Sequence, residues 1–439
     1  MPVDFQVSAD GLLSGELRVP GDKSISHRAL LLGAIAEGET RIEGFLSGAD
    51  CLATLAAIRA LGVDVSGPTA GRVTIAGCGL EGLKSPASTL DLGNSGTSIR
   101  LLTGLLAGQP FASTLTGDDS LQRRPMQRVI EPLAAMGARI ESQAGHAPLS
   151  IHGHRPLKPL RYEMPVASAQ VKSALLIAGL YAGGYSWIRE PGLSRDHTER
   201  MLSSFGHPTL RESGWTGIHG GGVLRGTRIE VPGDLSSAAF FLAGAAMTPG
   251  SHLVLENVGV NPTRDGVLHL LRQMGADIRL EKPRMCGAEP VADIAVRGGV
   301  LKGIDITPEQ VVAAIDDLPA VLVAAAAAEG VTTLRGAAEL RVKESDRLQA
   351  LDAGFKVLGV SVEMSRDGLR LTGVERFKGG EIQSFGDHRI AMAFAMASLR
   401  AEAPLTIRDC ANVDTSFPNF VPLARQCGMH ISTDGRAAA

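Results

Sequence analysis

The chain has 439 residues, of which 44% are hydrophobic and 20% are charged, so it is long enough to form more than one hydrophobic core. A formal net charge of -3 gives no overall attraction for nucleic acid or an anionic membrane, and no apolar run approaches the roughly 20 residues of a membrane span. Five widely spaced cysteines without a CxxC pair predict neither a disulfide framework nor a zinc site, and the N-terminus lacks the features of a secretory signal, so a cytoplasmic protein is expected.

The first cationic cluster is GDKSISHR at residues 21–28, and the apolar run ALLLGAIA that follows it predicts a buried helix. Lys23, Ser24 and Arg28 would gather near the N-terminus of that helix. Free backbone N–H groups and the helix dipole attract a phosphate or a carboxylate there. An ordinary capped helix with solvated charges is the alternative interpretation.

A pattern of helix, glycine and strand begins in the next segment and recurs along the chain. Each copy has apolar residues at helical spacing, then a glycine, then residues that alternate like those of a strand. Glycine can adopt the left-handed conformation that ends a helix at little steric cost. The six glycines are Gly62, Gly137, Gly206, Gly275, Gly359 and Gly428.

The motif VPGD occurs at residues 19–22 and again at residues 231–234, three of these repeating units further along the chain. We therefore expect two lobes of three units each. One lobe would contain residues 1–20 plus 234–439, and the other residues 21–233. The chain would cross between the lobes near both VPGD motifs, with the active site between the lobes.

Two further polar segments lie in the first half of the chain. LGNSGTSIR, at residues 92–100, predicts a turn of small residues before a helix, where Gly96 would let an anion approach the backbone closely. SLQRRPM, at residues 120–126, contains Arg124, which could bind a carboxylate or phosphate through two hydrogen bonds. No GxxxxGK[ST] motif occurs, which argues against a nucleoside triphosphatase. A surface turn and solvated arginines are the alternatives.

SAQVKSALLIAGL, from residue 168, places Ser168 and Gln170 at the start of another buried helix, and both side chains suit sugar-like hydroxyl groups. SRDHTERM, at residues 194–201, has a capping sequence with Arg195 beside it, and helix capping alone could explain this segment.

In the second half, acids accompany the cations. Asp316 interrupts an apolar stretch, where an unpaired acid would be costly. RVKESDRL, at residues 341–348, is expected to place Lys343, Glu344 and Arg347 on one helical face, a combination suited to acid–base chemistry on an anion. A helix with internal ion pairs is the alternative. Arg389 lies in GDHRIAMA, at the start of a strongly apolar helix.

The motifs GDKSISHR, GNSGTSIR, RRPM, SAQVKSALL, SRDHTE, RVKESDR and GDHRIAMA occur in an order that closely resembles the 5-enolpyruvylshikimate 3-phosphate synthase family, from about residue 19 to 418. The resemblance implies an α/β fold of two lobes, each of three similar βαβαββ units, which is an inverse α/β barrel. It also implies transfer of the enolpyruvyl group of phosphoenolpyruvate to the 5-hydroxyl of shikimate 3-phosphate by addition and elimination, as a step of aromatic amino acid biosynthesis. Neither a metal nor an organic cofactor is expected, and a monomer is expected.

The resemblance further implies which residues hold the substrates. The implied contacts of shikimate 3-phosphate are Lys23, Ser24, Arg28, Ser168, Gln170, Arg195, Asp316 and Lys343. Those of phosphoenolpyruvate are Lys23, Gly96, Arg124, Gln170, Arg347 and Arg389. Glu344 would be the acid and base at the methylene carbon, Asp316 would orient or deprotonate the hydroxyl, and Lys23 would assist transfer at oxygen.

The chain differs from many members of the family at Thr415, where they carry a lysine, and at Ala169, where some carry a second serine. Two other functions stay open from the sequence. One is the related transfer of enolpyruvate to UDP-N-acetylglucosamine, although no cysteine falls within the basic motifs here. The other is a non-catalytic phosphosugar-binding protein, which would have no use for Glu344 and Asp316.

Overall fold

The computed structural model describes residues 3–434, which divide into two compact units. We call residues 21–231 and 286–289 the central unit, and residues 3–20, 232–285 and 290–434 the terminal unit. Each unit has an extensive hydrophobic core of aliphatic side chains, to which the terminal unit adds a group of phenylalanines.

Most of the strands have seven residues or fewer. In chain order they are β1 (Asp4–Val7), β2 (Ser14–Leu17), β3 (Glu37–Glu43), β4 (Asp64–Thr69), β5 (Arg72–Cys78), β6 (Leu90–Asp91), β7 (Ala112–Thr116), β8 (Arg139–Gln143), β9 (His146–His152), β10 (Arg161–Glu163), β11 (Tyr185–Arg189), β12 (Leu210–Glu212), β13 (Trp215–His219), β14 (Arg228–Glu230), β15 (His252–Gly259), β16 (Asp277–Cys286), β17 (Glu289–Arg297), β18 (Asp305–Ile306), β19 (Val331–Leu334), β20 (Ser361–Met364), β21 (Leu369–Thr372), β22 (Gly380–Gln383), β23 (Leu405–Arg408) and β24 (Ile431–Asp434).

The helices alternate with these strands. They are α1 (Lys23–Ala34), α2 (Ala49–Ala60), α3 (Gly96–Ala107), α4 (Asp119–Gln122), α5 (Gln127–Ala135), α6 (Ala169–Gly179), α7 (His197–Ser204), α8 (Leu235–Ala246), α9 (Gly266–Gln273), α10 (Pro308–Ala314), α11 (Leu318–Ala326), α12 (Arg347–Leu358), α13 (His388–Ala397) and α14 (Phe420–Gln426), with 3-10 turns at Ala338–Val342, Ser398–Arg400 and Ala411–Thr415.

Within residues 3–434 the strands form six four-stranded sheets that share one topology. In the sheet β6-β7-β9-β8, β6 and β7 are parallel, and β9 is antiparallel to both of its neighbours. Its principal elements follow the chain order β6, α3, β7, α5, β8, β9, which is the predicted βαβαββ unit. Parallel neighbours need a crossover connection, and α3 provides it, whereas β8 and β9 form a hairpin.

Three of the sheets take one strand from a distant part of the chain. β14 lies parallel to β3 and opens the first unit of the repeat, and β2 lies parallel to β15 and opens the fourth. β1 pairs with both β23 and β24 and completes the sixth. The N-terminal strands are therefore integral parts of two sheets of the terminal unit.

All six predicted glycines follow the last helix of a unit and have positive φ, between +78° at Gly359 and +114° at Gly428. A strand follows each of them: β4, β8, β12, β16, β20 and β24. The predicted sequence of helix, glycine and strand is thus confirmed in all six copies. After Gly206 the strand begins only at Leu210, beyond Pro208, which lacks the N–H that a strand would use.

One helix of each unit is buried on nearly all sides. Every residue of α8, α11 and α13 is buried, as are most residues of α1, α3 and α6. A helix that is apolar around its whole circumference belongs in the core. Within residues 3–434, no helix is both long enough and apolar enough to traverse a lipid bilayer.

The expectation that Lys343, Glu344 and Arg347 share one helical face is wrong. The 3-10 turn ends at Val342, Lys343 is extended, and α12 begins only at Arg347. Asp346 explains the break, because its Oδ1 accepts a hydrogen bond from the backbone N–H of Gln349, 3.0 Å away, and so caps a new helix.

Candidate functional site

Three buried helices of the central unit begin at polar caps. Asp22, Ser95 and Ser168 each accept a hydrogen bond from a backbone N–H in the first turn of α1, α3 and α6. The caps place Lys23 and Gly96 at the first positions of their helices. Gly96 was expected in the turn before α3 but is its first residue.

Arg100 brings the starts of α3 and α6 together. Its Nη1 donates to Oε1 of Gln170 at 2.8 Å and to the backbone oxygen of Gly96 at 3.0 Å. Nε2 of Gln170 donates to Oγ1 of Thr97 at 3.0 Å. The predicted residues Gly96 and Gln170 are therefore neighbours. Arg100 was not predicted as a site residue, although its spacing of four from Gly96 in GNSGTSIR was a usable signal.

Arg124 is buried beside Gly96. Its Nη2 donates to Oδ1 of Asn94 at 2.6 Å, and a Cβ atom added to Gly96 would lie 2.8 Å from its Nη1. Because this is too close for a real Cβ contact, glycine is required if the guanidinium is to keep its place. The close approach predicted for Gly96 therefore involves an arginine of the same cluster.

Arg28 is buried and forms its hydrogen bonds with neutral oxygens: Oγ1 of Thr198 at 2.7 Å, Oγ of Ser173 at 2.7 Å and the backbone oxygen of Ser24 at 2.9 Å. Burial lowers the pKa of Arg28 to about 10, nearby carboxylates oppose the shift, and the charge of Arg195 adds to it. The guanidinium stays protonated at neutral pH. Since no hydrogen-bond partner of Arg28 in the described chain is a carboxylate, its charge is available to an anion.

Two lysines of the central unit differ in their surroundings. Nζ of Lys23 lies 2.9 Å from Oδ2 of Asp50, and the lysine side chain is 15% exposed. Lys172, which belongs to the Ser168 motif, is buried between Glu190 and Glu199, with both ion-pair distances at 2.9 Å. Lys23 can therefore contact a ligand, whereas two ion pairs hold Lys172 in the interior of the unit.

In the terminal unit, Asp316 and Asp317 form the turn between α10 and α11. Nη1 of Arg389 donates to the backbone oxygen of Asp316 at 2.8 Å and lies 3.4 Å from Oδ1 of Asp317. Oδ1 of Asp317 also accepts a short hydrogen bond from Ser236. The apolar stretch thus tolerates its two acids because both have cationic or hydroxyl partners nearby.

Arg347 is the centre of the acidic cluster in the terminal unit. Its Nε donates to Oδ2 of Asp387 at 2.8 Å and its Nη2 to Oε2 of Glu344 at 2.5 Å, while Nη1 lies 3.7 Å from Oδ1 of Asp316. Burial disfavours the charge of Arg347, but Asp387 and Glu344 outweigh it and raise the pKa. Glu344 is therefore held by a guanidinium that stays charged.

Lys343 completes this cluster, with its Nζ 3.6 Å from Oδ1 of Asp316. Burial lowers the pKa of Lys343, and the charges of Asp316 and Glu339 oppose that shift. The four predicted residues Asp316, Lys343, Glu344 and Arg347 are therefore in mutual proximity, although the helical arrangement expected for them is wrong.

Two remaining predictions concern capping and the C-terminal motif. Asp196 occupies the N-cap position of α7 but makes no capping hydrogen bond, and its Oδ1 accepts instead from Nε of Arg200 at 2.8 Å. Thr415 is buried, and its Oγ1 donates to the backbone oxygen of Asn412 at 2.6 Å. In the part of the chain that the structure describes, no cluster of three or more His, Cys, Asp or Glu side chains could hold a metal ion.

Comparison with known proteins decides the family. The family EPSP synthase (3-phosphoshikimate 1-carboxyvinyltransferase) matches residues 7–423. The chain belongs to this family.

Individual relatives agree with this assignment. A 3-phosphoshikimate 1-carboxyvinyltransferase of Alkalilimnicola ehrlichii is 59% identical, over 99% of this chain and 98% of the relative. One from Methylococcus capsulatus is 58% identical, over 98% of each chain. A solved structure of EPSP synthase from Acinetobacter baumannii has a TM-score of 0.88 and 51% identity, and covers 99% of this chain and 100% of that one.

These findings confirm the predicted two-lobed α/β fold and the predicted family. They also confirm that the chain is an enzyme that transfers an enolpyruvyl group in the shikimate pathway. Of the functions that the sequence left open, the transfer to UDP-N-acetylglucosamine and the non-catalytic phosphosugar-binding protein are thereby disfavoured.

Proposed function

We propose that the polar residues described in the central unit act together with the cluster of Asp316, Lys343, Glu344 and Arg347 in the terminal unit on one pair of substrates. The reaction would add the 5-hydroxyl of shikimate 3-phosphate to phosphoenolpyruvate and then expel phosphate. The observation that carries this proposal is the ion pair between Glu344 and the buried Arg347, 2.5 Å long, in a cluster with Asp316 and Lys343. A carboxyl group fixed in such a cluster can, when protonated, give a proton to a carbon atom of a bound anion and later take one back. A protein that only bound phosphosugars would need the cations alone.

Shikimate 3-phosphate is proposed to bind to polar groups from both units. Its phosphate and hydroxyls would contact Lys23, Ser24, Arg28, Ser168, Gln170, Arg195, Asp316 and Lys343. Support comes from Arg28, because this buried cation hydrogen-bonds to neutral oxygens and can form charge-assisted hydrogen bonds with a phosphate. Arg195, whose charge acts on Arg28, adds a second cation there.

Phosphoenolpyruvate is proposed to contact Lys23, Gly96, Arg124, Gln170, Arg347 and Arg389. The position of Gly96 supports this, because it is the first residue of α3, where backbone N–H groups and the helix dipole favour an anion. Arg124 lies beside it, so a carboxylate or phosphate there would meet a guanidinium as well.

The chemistry requires proton transfers at two atoms. Glu344 would give a proton to the methylene carbon of phosphoenolpyruvate while the 5-hydroxyl oxygen bonds to the central carbon. Asp316 would orient that hydroxyl or accept its proton, and Lys23 would assist proton transfer at oxygen. Loss of phosphate and return of the proton from the new methyl group to Glu344 would then form the enol ether. The surrounding arginines would neutralise substrate charge throughout. No step of this scheme needs a metal or an organic cofactor.

We further propose that the enzyme is a cytoplasmic monomer whose chain crosses between two lobes near residues 19–22 and 231–234. Within residues 3–434 no disulfide joins any of Cys51, Cys78, Cys286, Cys410 and Cys427, and five reduced thiols suit a reducing compartment. Capping of α1 by Asp22 and of α8 by Asp234 gives both VPGD motifs the same structural role and supports their equivalence.

The test is release of inorganic phosphate from phosphoenolpyruvate with shikimate 3-phosphate as acceptor. We expect turnover with this acceptor and none with UDP-N-acetylglucosamine. Glu344→Gln should lower kcat by roughly 10²–10⁴-fold, the usual contribution of general acid–base catalysis, while substrate binding measured by calorimetry persists. Glu363→Gln, at an exposed ion pair with Arg370, is the matched control and should retain full activity. Full activity of Glu344→Gln would refute the assigned role.

A further inference from the structure

His27 is a buried histidine that the proposed mechanism does not use. It lies on α1 one helical turn after Lys23, and none of its surface is exposed. Its Nδ1 is 2.8 Å from Oγ1 of Thr54 on α2. Within residues 3–434, Nε2 has no hydrogen-bond partner. The imidazole therefore acts through Nδ1 alone.

A chain of buried hydroxyls continues from this histidine to the start of α3. Oγ1 of Thr54 lies 2.6 Å from Oγ of Ser98, and that oxygen lies 2.6 Å from Oγ of Ser95. Ser95 is the N-cap of α3 and also accepts the backbone N–H of Ser98. Side chains from α1, α2 and the cap of α3 are thus joined in one network of hydrogen bonds without exposed members.

The single proton of each hydroxyl fixes the direction of this chain. Ser98 donates to Ser95, so it accepts from Thr54 in this chain of hydrogen bonds. The backbone oxygen of Asp50 lies 3.5 Å from both hydroxyls, which is too far to compete with the contacts of 2.6 Å. The single proton of the Thr54 hydroxyl is then used in the hydrogen bond to Ser98, so His27 donates to Oγ1 of Thr54 from Nδ1. Burial holds the pKa of His27 well below its usual range, and the charges of Lys23 and Arg28 lower it further. The imidazole is consequently neutral, with its proton on Nδ1.

This series of hydrogen bonds adjoins the starts of α1 and α3, where two residues of the proposed function lie. Lys23 and Gly96 are the first residues of α1 and α3, and Lys23 is also bound to Asp50 of α2. Hydrogen bonds keep donor and acceptor atoms within a few tenths of an ångström of their preferred separation, so this series of hydrogen bonds constrains where the starts of the helices lie. Misplacement of a binding group by 1 Å can lower catalysis by about 100-fold.

We propose that His27 is a positioning residue, which through Thr54, Ser98 and Ser95 fixes the start of α1 relative to the start of α3, so that Lys23 and Gly96 meet the same phosphoenolpyruvate molecule. This inference rests on the proposed function of Lys23 and Gly96. It also specifies which atom matters, because only a donor at the position of Nδ1 can complete the chain.

Three substitutions separate this role from simple packing. His27→Asn keeps an N–H group near the position of Nδ1, His27→Gln moves the amide one bond further out, and His27→Leu removes the donor. We expect His27→Asn to keep the KM for phosphoenolpyruvate within about twofold, and the other two to raise it by roughly tenfold, the effect of one lost hydrogen bond. The KM for shikimate 3-phosphate should change less. Wild-type kinetics in His27→Leu, or equal impairment of His27→Asn and His27→Leu, would overturn the proposal.

Imidazole ¹⁵N NMR gives a second readout that needs no activity and no folded variant. The resonances of His27 can be assigned as those missing from the spectrum of His27→Asn. If that variant does not fold, segmental labelling of an N-terminal stretch assigns them, because His27 is the only histidine before His146. We expect a neutral ring with a proton on Nδ1 and none on Nε2 from pH 5 to pH 8. A proton on Nε2, or titration near pH 6.5, would refute the proposed chain. If phosphate release fails in the wild type while this spectrum is seen, the function is wrong and the hydrogen-bonded chain stands.

Discussion

Two buried arginines of this chain have opposite electrostatic settings. Arg28 hydrogen-bonds to hydroxyls and a carbonyl, and burial lowers its pKa to about 10. Arg347 is equally buried but contacts Asp387 and Glu344, which raise its pKa. No carboxylate is hydrogen-bonded to the first guanidinium, whereas two carboxylates compensate most of the charge of the second. Within residues 3–434, Nη1 of Arg347 has no hydrogen-bond partner, which leaves it for the proposed contact with phosphoenolpyruvate. Sequence motifs marked both as cations but could not distinguish them, because the carboxylate Asp387 lies 40 residues from Arg347 in the chain.

The pairing of Arg347 with Asp387 predicts a large loss of stability in Asp387→Asn. Asparagine can still cap α13 through its Oδ1, so the substitution removes mainly the ion pair. Leaving a buried guanidinium with one carboxylate fewer should lower the free energy of unfolding by about 3 kcal/mol or more, measured by urea denaturation. Asp10→Asn, at an exposed ion pair with Arg376, is the control and should change it by less than about 1 kcal/mol. Equal effects of the two variants would contradict this account of Arg347.

His27 predicts a specific pH dependence of stability. Its folded pKa is below 6.5, mainly because it is buried and also because Lys23 and Arg28 are near, with Asp22 opposing them. Below pH 6.5 the unfolded chain binds a proton that the folded chain does not, so the contribution of His27 to stability falls as the pH decreases. The slope approaches 1.36 kcal/mol per pH unit. Denaturation of the wild type and His27→Asn between pH 7 and pH 5 measures the difference, and parallel curves would rule out a neutral buried His27.

At the level of elements, the sequence predicted what local patterns encode and missed what depends on distant partners. Apolar spacing and glycine predicted the last helix and the third strand of every unit. The roles of β1, β2 and β14 were not predicted, since these strands of three or four residues complete sheets with partners far away in the chain. The helix assumed across residues 341–348 was wrong because Asp346 begins a new helix there.

The repeated glycine offers a matched pair of substitutions in the terminal unit. Gly275 has φ +94° with open space where a Cβ would lie, whereas Gly428 has φ +114° and the added Cβ would lie 2.3 Å from the backbone oxygen of Leu12. Gly275→Ala should lower the free energy of unfolding by about 1–2 kcal/mol, through backbone strain alone. Gly428→Ala should lower it by more, because the N-terminal segment must also move. Thermal denaturation of both variants checks this order, and the reverse order would contradict it.

In the whole molecule, the two units contribute different kinds of side chain to the proposed function. The central unit contributes mainly cations and hydroxyl or amide groups, including Lys23, Arg28 and Gln170, while the acids Asp316 and Glu344 belong to the terminal unit. The repeats alone do not predict this asymmetry, because both units have the same succession of elements. It arises from the side chains at the starts of helices and in the segments just before them, which the motifs in the sequence did identify.

If shikimate 3-phosphate contacts both units, its binding must depend on residues of each. At a concentration 100 times its Kd, the ligand should stabilise the wild type by about 2.7 kcal/mol, seen as a rise in Tm. Arg195→Met in the central unit and Lys343→Met in the terminal unit should each lose much of that rise, since each removes a cation near the proposed phosphate and hydroxyl contacts. Lys356→Met, at an exposed pair with Asp352, should keep it. A full rise in either Arg195→Met or Lys343→Met would mean that one unit binds the substrate alone, and the proposed sharing of substrates by the two units would then be wrong.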